Sequence, residues 1–420
     1  MWKRAIIHSD INHCYAQIEE MKYPALRDVP MAVGGHEETR HGIILARNDL
    51  AKEYGIKTAE TLRDAFKKCP HLVIVHPNYK DYAYYTEKVK DIYREYSDQV
   101  ESFGLDEAWI DITGSQLLFG EPLSIAKEIQ DRVLKEVGLS VSIGLSYNKI
   151  FAKLGSDRIK KSGLYVITED NFKEKIWPLD IGELFYVGRA TKDKLLSCRI
   201  NTIGDLANVP IAYLTDLLGK NGEMLWYFAN GYDVSEVAMN NYQSEVKSIS
   251  NGVTTVHNMN NLEETKIVFY VLAESVASRL KDQALCGCCV QIGLRDINLE
   301  RITRQCKLSY YTNTSEDIMQ AIVFLLNKHY DFTIPLRSIS VRVSSLCNEN
   351  TVLPTEQLNL FSTEDKEQAS IKGKLIDKSM DEIRNKYGHK AVRRLVTLMD
   401  EELSDFDPKN EHTIFPVGFF

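Results

Sequence analysis

The chain has 420 residues, room for two to four domains at about 100–200 residues each, and its 44% hydrophobic and 26% charged content is that of soluble globular protein. No window approaches about 18 consecutive apolar residues, so no membrane-spanning helix is predicted. The net charge of −8 argues against a nucleic-acid partner only as a sum: Arg295, Arg301, Arg304, Lys307, Arg337 and Arg342 share one strand-rich stretch, whereas acids crowd the C-terminal end at Asp400–Glu402, Asp405 and Asp407. Of eight cysteines, only Cys286, Cys288 and Cys289 cluster, without a second pair or a well-spaced histidine; they read as buried thiols in a strand rather than as a zinc site. The start, Met1-Trp-Lys-Arg, leads into an apolar run too short for a signal peptide, which points to the cytoplasm.

The first predicted strand, Ala5–Asp10, ends in a carboxylate and runs into a helical stretch over Ile11–Glu20. That helix start would aim free backbone N–H groups at a phosphate beside Asp10. Short apolar strands follow at Met31–Gly34 and Gly42–Ala46, then a helix to Tyr54. A long helix is predicted from Tyr79 to Val100, with Tyr82, Tyr85, Val89, Ile92, Tyr93 and Tyr96 forming an apolar stripe that reads as core.

The segment Phe103–Ile112 places Asp106 and Glu107 side by side at a turn before a strand. Successive strand side chains point to opposite faces, so the two acids reach one site together only where a turn re-aims them. With Asp10 they supply three hard oxygen ligands from two strand ends, the donors that a pair of Mg²⁺ ions needs to hold the attacking and leaving oxygens of a phosphoryl transfer. On that ground the chain reads as a metal-dependent nucleotidyl transferase.

Helix Ser124–Val137, strand Ser140–Leu145 and helix Lys149–Ile159 complete an α/β layer. From residue 169 to about 240 the chain is helical with Gly-centred turns at Phe185–Arg189 and Ile203–Asp205, like helix-hairpin-helix units that hold DNA phosphate through backbone N–H groups. Strands in Lys247–Cys347, with helices at Leu262–Leu285 and Ser315–His329, give the order β-α-β-β-α-β, a sheet with one face open to DNA backbone. The last sixty residues offer one helix, Lys372–Tyr387, and an irregular end.

Three ordered motifs, Ile7–Glu19, Leu105–Asp111 and Ser142–Lys153, resemble those of the Y-family translesion DNA polymerases, in particular the bacterial polymerase IV and UmuC-like (ImpB/MucB/SamB) members, over about residues 1–350. The resemblance implies an α+β multidomain right hand without a proofreading exonuclease. Its parts would be an α/β palm (1–11 and 78–168), small fingers (12–77), a helical thumb of helix-hairpin-helix type (169–240), a β-α-β-β-α-β little finger that binds DNA (246–350) and a C-terminal tail (351–420). It implies two Mg²⁺ ions on Asp10, Asp106, Glu107 and the backbone carbonyl of Ile11, and Tyr15 as a steric gate against ribonucleotides. It also implies Lys160 as a contact to the triphosphate.

Ala46, Asp49 and Lys52 stand where many relatives carry a hydroxyl, a tyrosine and an arginine that grip triphosphate, so either Arg47 takes over the grip, with Lys52 as a further cation, or nucleotide is bound weakly. Asn12 replaces an aspartate found in some relatives. Gln357-Leu358-Asn359-Leu360-Phe361 resembles the peptide by which bacterial polymerases dock on the sliding clamp, with Leu358, Leu360 and Phe361 filling an apolar pocket and Gln357 fixing orientation. The partners so implied are primer-template DNA, deoxynucleoside triphosphates and the clamp, for a monomer. A nucleotide cyclase and a clamp-bound accessory protein without catalysis are the competing readings, and primer extension separates them.

Overall fold

The computed structural model describes residues 2–35, 42–159, 162–242, 244–351 and 364–409, with side chains from 373 in the last segment. Of these residues, 2–35, 43–159 and 162–242 form one compact unit, and 244–351 and 364–409 belong to a second. Among the described residues no helix is long and apolar enough to cross a membrane.

The first unit carries strands β1 (Ile6–Ile11), β2 (Met31–Gly34), β3 (Ile44–Arg47), β4 (Val73–Val75), β5 (Val100–Phe103), β6 (Glu107–Asp111), β7 (Val141–Ser146) and β8 (Gly163–Val166). Five of them form a sheet in the order β5-β6-β1-β7-β8, antiparallel except for β7 and β8, while β3-β2-β4 form a small separate sheet. On the main sheet Ile7, Ile11, Ala108, Ile110, Ile143 and Leu145 pack with Tyr82, Val89, Ile92 and Tyr93 of helix Tyr79–Arg94 and with Ile125 and Ile129 of helix Pro122–Arg132. The predicted tyrosine stripe is therefore core.

Three expectations need correction. The helix from Tyr79 stops at Arg94, because Ser97 Oγ accepts from Gln99 N–H and donates to the Asp111 carbonyl, turning the chain into β5 before Val100. The helix after β1 begins at Cys14 rather than Ile11, since His13 takes a left-handed conformation at φ 36°. Helix Leu62–Lys68 and strand β4, which the sequence reading omitted, close the small sheet over its own apolar cluster of Ile44, Ile56, Leu62 and Leu72. Between residues 169 and 240 the chain is helical as expected, with helices at Phe172–Ile176, Arg189–Ser197, Ile203–Asn208, Ile211–Leu218 and Lys220–Ala229.

The second unit has the expected β-α-β-β-α-β order: β9 (Ser248–Met259), helix Leu262–Asp282, β10 (Leu285–Asp296), β11 (Arg301–Thr312), helix Ser315–His329 and β12 (Leu336–Asn348). The strands lie antiparallel in the order β11-β10-β12-β9, with both helices over one face. Cys286, Cys288 and Cys289 are buried free thiols on β10, and Cys286 faces Cys347 across the ladder with sulfurs 3.4 Å apart. The C-terminal end is more regular than its composition suggested. Helix Glu364–Tyr387 is followed by short helical turns at His389–Ala391, Leu395–Leu398 and Glu401–Ser404. Buried Glu274 pairs with Arg384 at 2.8 Å and Arg394 at 2.6 Å, while buried Asp377 accepts from Ser315 and Arg394, which ties this end to the helical layer.

Candidate active site

Register decides what shares a face. Asp10 stands opposite Glu107 on β6 and Ser142 on β7, and His8 stands opposite Trp109 and Gly144. Directly opposed residues project to the same side, so His8, Asp10, Glu107 and Trp109 form one patch. Asp106 belongs to the turn between β5 and β6, where Gly104 sits at φ 69°. The Ile11 N–H donates to the Asp106 carbonyl at 3.1 Å, fixing the turn to the end of β1, and buried Lys90 reaches the Gly104 carbonyl from beneath at 3.4 Å. The structure thus gathers Asp10, Asp106 and Glu107 at one strand end. Asn12 is anchored beside them: its amide donates to Ser140 Oγ and its carbonyl oxygen accepts from Ser142 Oγ.

Helix Lys149–Asp157 covers the patch. Asn148 caps it by accepting from Phe151 N–H, and Gly144 lets it approach, since a Cβ there would lie 1.9 Å from the Ala152 carbonyl oxygen. Its inward side brings polar groups to the acids. Ser156 Oγ donates to the Lys153 carbonyl and sits 2.8 Å from His8 Nδ1, and Trp109 Nε1 donates to the Lys149 carbonyl at 3.0 Å. Lys153 Nζ is 2.7 Å from Glu107 Oε2 and 2.9 Å from Asp157 Oδ1, and His8 Nε2 is 3.2 Å from the same Glu107 oxygen.

Charge is unevenly balanced here. Burial, then the charges of Glu107 and Asp106, push the Asp10 carboxyl up to about 8, and burial with Glu107 raises Asp106. Burial would raise Glu107 as well, but His8 and Lys153 hold it below the usual carboxylate range. Three crowded carboxylates with one engaged lysine suit an added hard cation, and an all-oxygen donor set suits Mg²⁺. Glu107 Oε2 is itself buried and accepts no well-directed hydrogen bond. As they stand, no three His, Cys, Asp or Glu side chains among the described residues converge closely enough to hold an ion.

Tyr15 is the second residue of helix Cys14–Lys22, with the charge of Asp106 among the influences that raise its hydroxyl after burial itself. Arg47 ends β3 with its Nη1 donating to Thr58 Oγ1 at 3.3 Å and its Nε buried without a hydrogen bond among the described residues. Asp49 occupies the first turn of helix Asp49–Glu53, capped by buried Asn48, and exposed Lys52 its last turn. Burial lowers the His13 imidazole, and the charges of Asp49, Lys52 and Arg47 all act on it, so these four share one neighbourhood. Lys160 and the peptide Gln357–Phe361 lie outside the described residues.

His8, Lys90, Lys153 and Ser156 are functional candidates that sequence reasoning missed. Lys153 carried a usable signal, a lysine flanked by the buried residues Ile150, Phe151, Ala152 and Leu154 of one short helix.

In the second unit the sheet face opposite the helices carries Ser250, Gly252, Gln291, Gly293, Arg295, Arg301, Ser340 and Arg342, by cross-strand register. A groove of about 380 Å³ runs over Gly252, Gly293, Ser338 and Ser340 beside Arg295 and Arg301. Small residues admit a chain backbone and the guanidiniums supply charge for phosphate. Arg304 pairs with core residue Ile292 and so belongs to the other face.

Comparison with known proteins agrees with this geometry. Residues 9–157 match the impB/mucB/samB family, residues 246–360 its C-terminal domain, and residues 183–233 the thumb domain described for DNA polymerase-iota. A DNA polymerase IV from Acetivibrio thermocellus is 44% identical over 402 residues, 96% of this chain and 99% of its own. A DNA polymerase IV 2 from Bacillus subtilis is 34% identical over 405 residues, 95% of each chain. A solved Y-family DNA polymerase chimera superposes with a TM-score of 0.72 at 20% identity, covering 81% of this chain and 98% of that one, a likeness of fold.

Proposed function

The chain belongs to the Y-family DNA polymerases, in the impB/mucB/samB family, and from this premise we propose that it copies damaged templates by adding deoxynucleotides to a primer. The observation that carries the reading is the register that sets Asp10 opposite Glu107 while the turn holding Asp106 is bonded to the end of β1. Asp10, Asp106, Glu107 and the Ile11 carbonyl are assigned to hold Mg²⁺. Two such ions, when bound, supply the charge that activates the primer 3′-hydroxyl and stabilises the departing pyrophosphate.

The chain's own groups orient the rest. The first unit takes the roles of palm (1–11 and 78–168), fingers (12–77) and thumb (169–240), and the sheet of 246–350 that of the little finger. Tyr15 sits under the incoming sugar and leaves no room for a 2′-hydroxyl, while Arg47, Lys52 and Lys160 supply cations for the triphosphate. The open face with Arg295, Arg301 and Arg342 holds the DNA backbone, which fixes register without reading sequence. Gln357, Leu358, Leu360 and Phe361 are assigned to the sliding clamp, which would raise the local concentration of primer ends without altering the chemistry. The reading includes no proofreading site, a single copy of the chain as the working form, and the cytoplasm as its place.

Primer extension with Mg²⁺ tests it. Replacing both Asp106 and Glu107 by alanine should reduce nucleotide addition by roughly a hundredfold or more. Primer-template affinity should change little, since phosphate contacts elsewhere carry it. A double variant that extends near-normally would remove the assignment.

A further inference from the structure

Lys153 is placed on a candidate metal ligand, not beside one. Its ammonium lies 2.7 Å from Glu107 Oε2, on the carboxylate whose strand partner is Asp10, and only 10% of the Lys153 side chain is exposed. The same ammonium is 2.9 Å from Asp157 Oδ1, one turn along the helix, where the carboxylate is 45% exposed against 20% for Glu107. An ammonium has three donors on a flexible stem, so it serves both acids at once and can shift its weight from one to the other. The helix itself is not free to move, because Gly144 brings β7 against its backbone.

We infer that Lys153 is a built-in counter-cation of the acidic site, holding Glu107 while the site is free of divalent ion and passing to Asp157 when an ion takes Glu107. This rests on the reading of Asp10, Asp106 and Glu107 as metal ligands. It follows from charge and reach. With Lys153 on Glu107, three neighbouring carboxylates avoid full repulsion in the empty site, and Glu107 is kept at hand. Asp157, better solvated and already in contact, gives the displaced ammonium a partner, so the ion's entry leaves no buried charge alone. Affinity for the ion is then set by competition between it and Lys153.

The test is Mn²⁺ binding by the full chain alone, followed by the loss of the free-ion electron paramagnetic resonance signal, without DNA or nucleotide. Lys153→Met keeps the length of the side chain and removes the competing charge, so Mn²⁺ should bind about tenfold more tightly. Asp157→Asn removes the resting place and should weaken binding by about threefold. Unchanged or weaker binding in Lys153→Met would overturn the competition, leaving Lys153 a support for Glu107. Were that variant to fail to fold, the partly exposed Asp157→Asn decides, and unchanged affinity there overturns the hand-over. Asp106→Asn separates the two levels. If wild-type binding is insensitive to it, the metal-ligand reading itself falls and takes this inference with it; if binding is lost, the Lys153 result stands or falls on its own.

Discussion

Tyr15 lies flat against Tyr82, ring centroids 4.4 Å apart and planes inclined by 11°. Tyr82 is fully buried and its hydroxyl donates to Glu19 Oε1 at 2.7 Å, while Tyr79 stands edge-on to both rings at 5.9 Å. One face of Tyr15 is thus backed by a fixed ring. Tyr15→Ala should raise ribonucleotide use relative to deoxynucleotide use, because it opens room for the 2′-hydroxyl. Tyr82→Phe should keep the stack and the sugar preference but cost roughly 1–3 kcal/mol of stability, since it deprives buried Glu19 of its donor. Steady-state incorporation ratios and denaturant unfolding read the two effects apart. An equal fall for both sugars in Tyr15→Ala would make Tyr15 a packing residue.

The proposed triphosphate grip is assigned first to Arg47, whose guanidinium carries a buried Nε without a hydrogen bond among the described residues, while Lys52 is exposed at the far end of its short helix. Arg47→Ala should raise nucleotide KM by about tenfold and leave DNA affinity as it was, the mark of lost binding to one substrate. Lys52→Ala should do less. The reverse order, KM rising in Lys52→Ala alone, would move the grip to the lysine.

Without divalent ion, pH should act through Asp10. Its carboxyl rises from the ordinary value near 3.8 to about 8 on folding, first through burial and then through Glu107 and Asp106, so between those limits the folded state binds the extra proton. Stability of the chelated protein should therefore fall as pH climbs from about 4 to 8, the loss being complete above the raised value. Asp10→Asn should flatten that slope. Urea unfolding at pH 5 and pH 8 in chelator measures it, and a wild type as stable at pH 8 as at pH 5 would contradict it.

What the sequence discloses about this site follows from range. The three acids are legible because a strand end and an adjacent turn are local features, and β-α-β-β-α-β order is legible because strands and helices there are long and their periods differ. Lys153 on Glu107 is not, as it requires a helix 46 residues downstream to dock on the sheet. Nor is the C-terminal layer: nothing local marks Glu274 and Asp377 for burial, which depends on Arg384 and Arg394 meeting them with paired geometry. The helix from Tyr79 reads too long for the opposite reason, a periodic stripe continuing through Tyr96 while the very next residue, Ser97, redirects the backbone.

Gly144 gives the sharpest test of how the site is held. Opposite His8 on β7, it lies where an added Cβ would sit 1.9 Å from the Ala152 carbonyl oxygen and 2.6 Å from the Ser156 nitrogen, both backbone atoms of the covering helix. Neither can rotate away. Gly144→Ala must lift the helix, and with it Lys153 from Glu107 and Ser156 from His8. The expected cost is about 3 kcal/mol or more, beyond the ordinary range for an added methyl group in a core. DNA synthesis should fall with it even at temperatures where the variant remains folded. Gly114→Ala, where a Cβ would meet nothing within 4 Å, should stay within about 0.5 kcal/mol of wild type. If Gly144→Ala unfolds at the same urea concentration as Gly114→Ala and extends primers as fast, the helix is not packed against β7 as described, and the contacts of Lys153 and Ser156 lose their support.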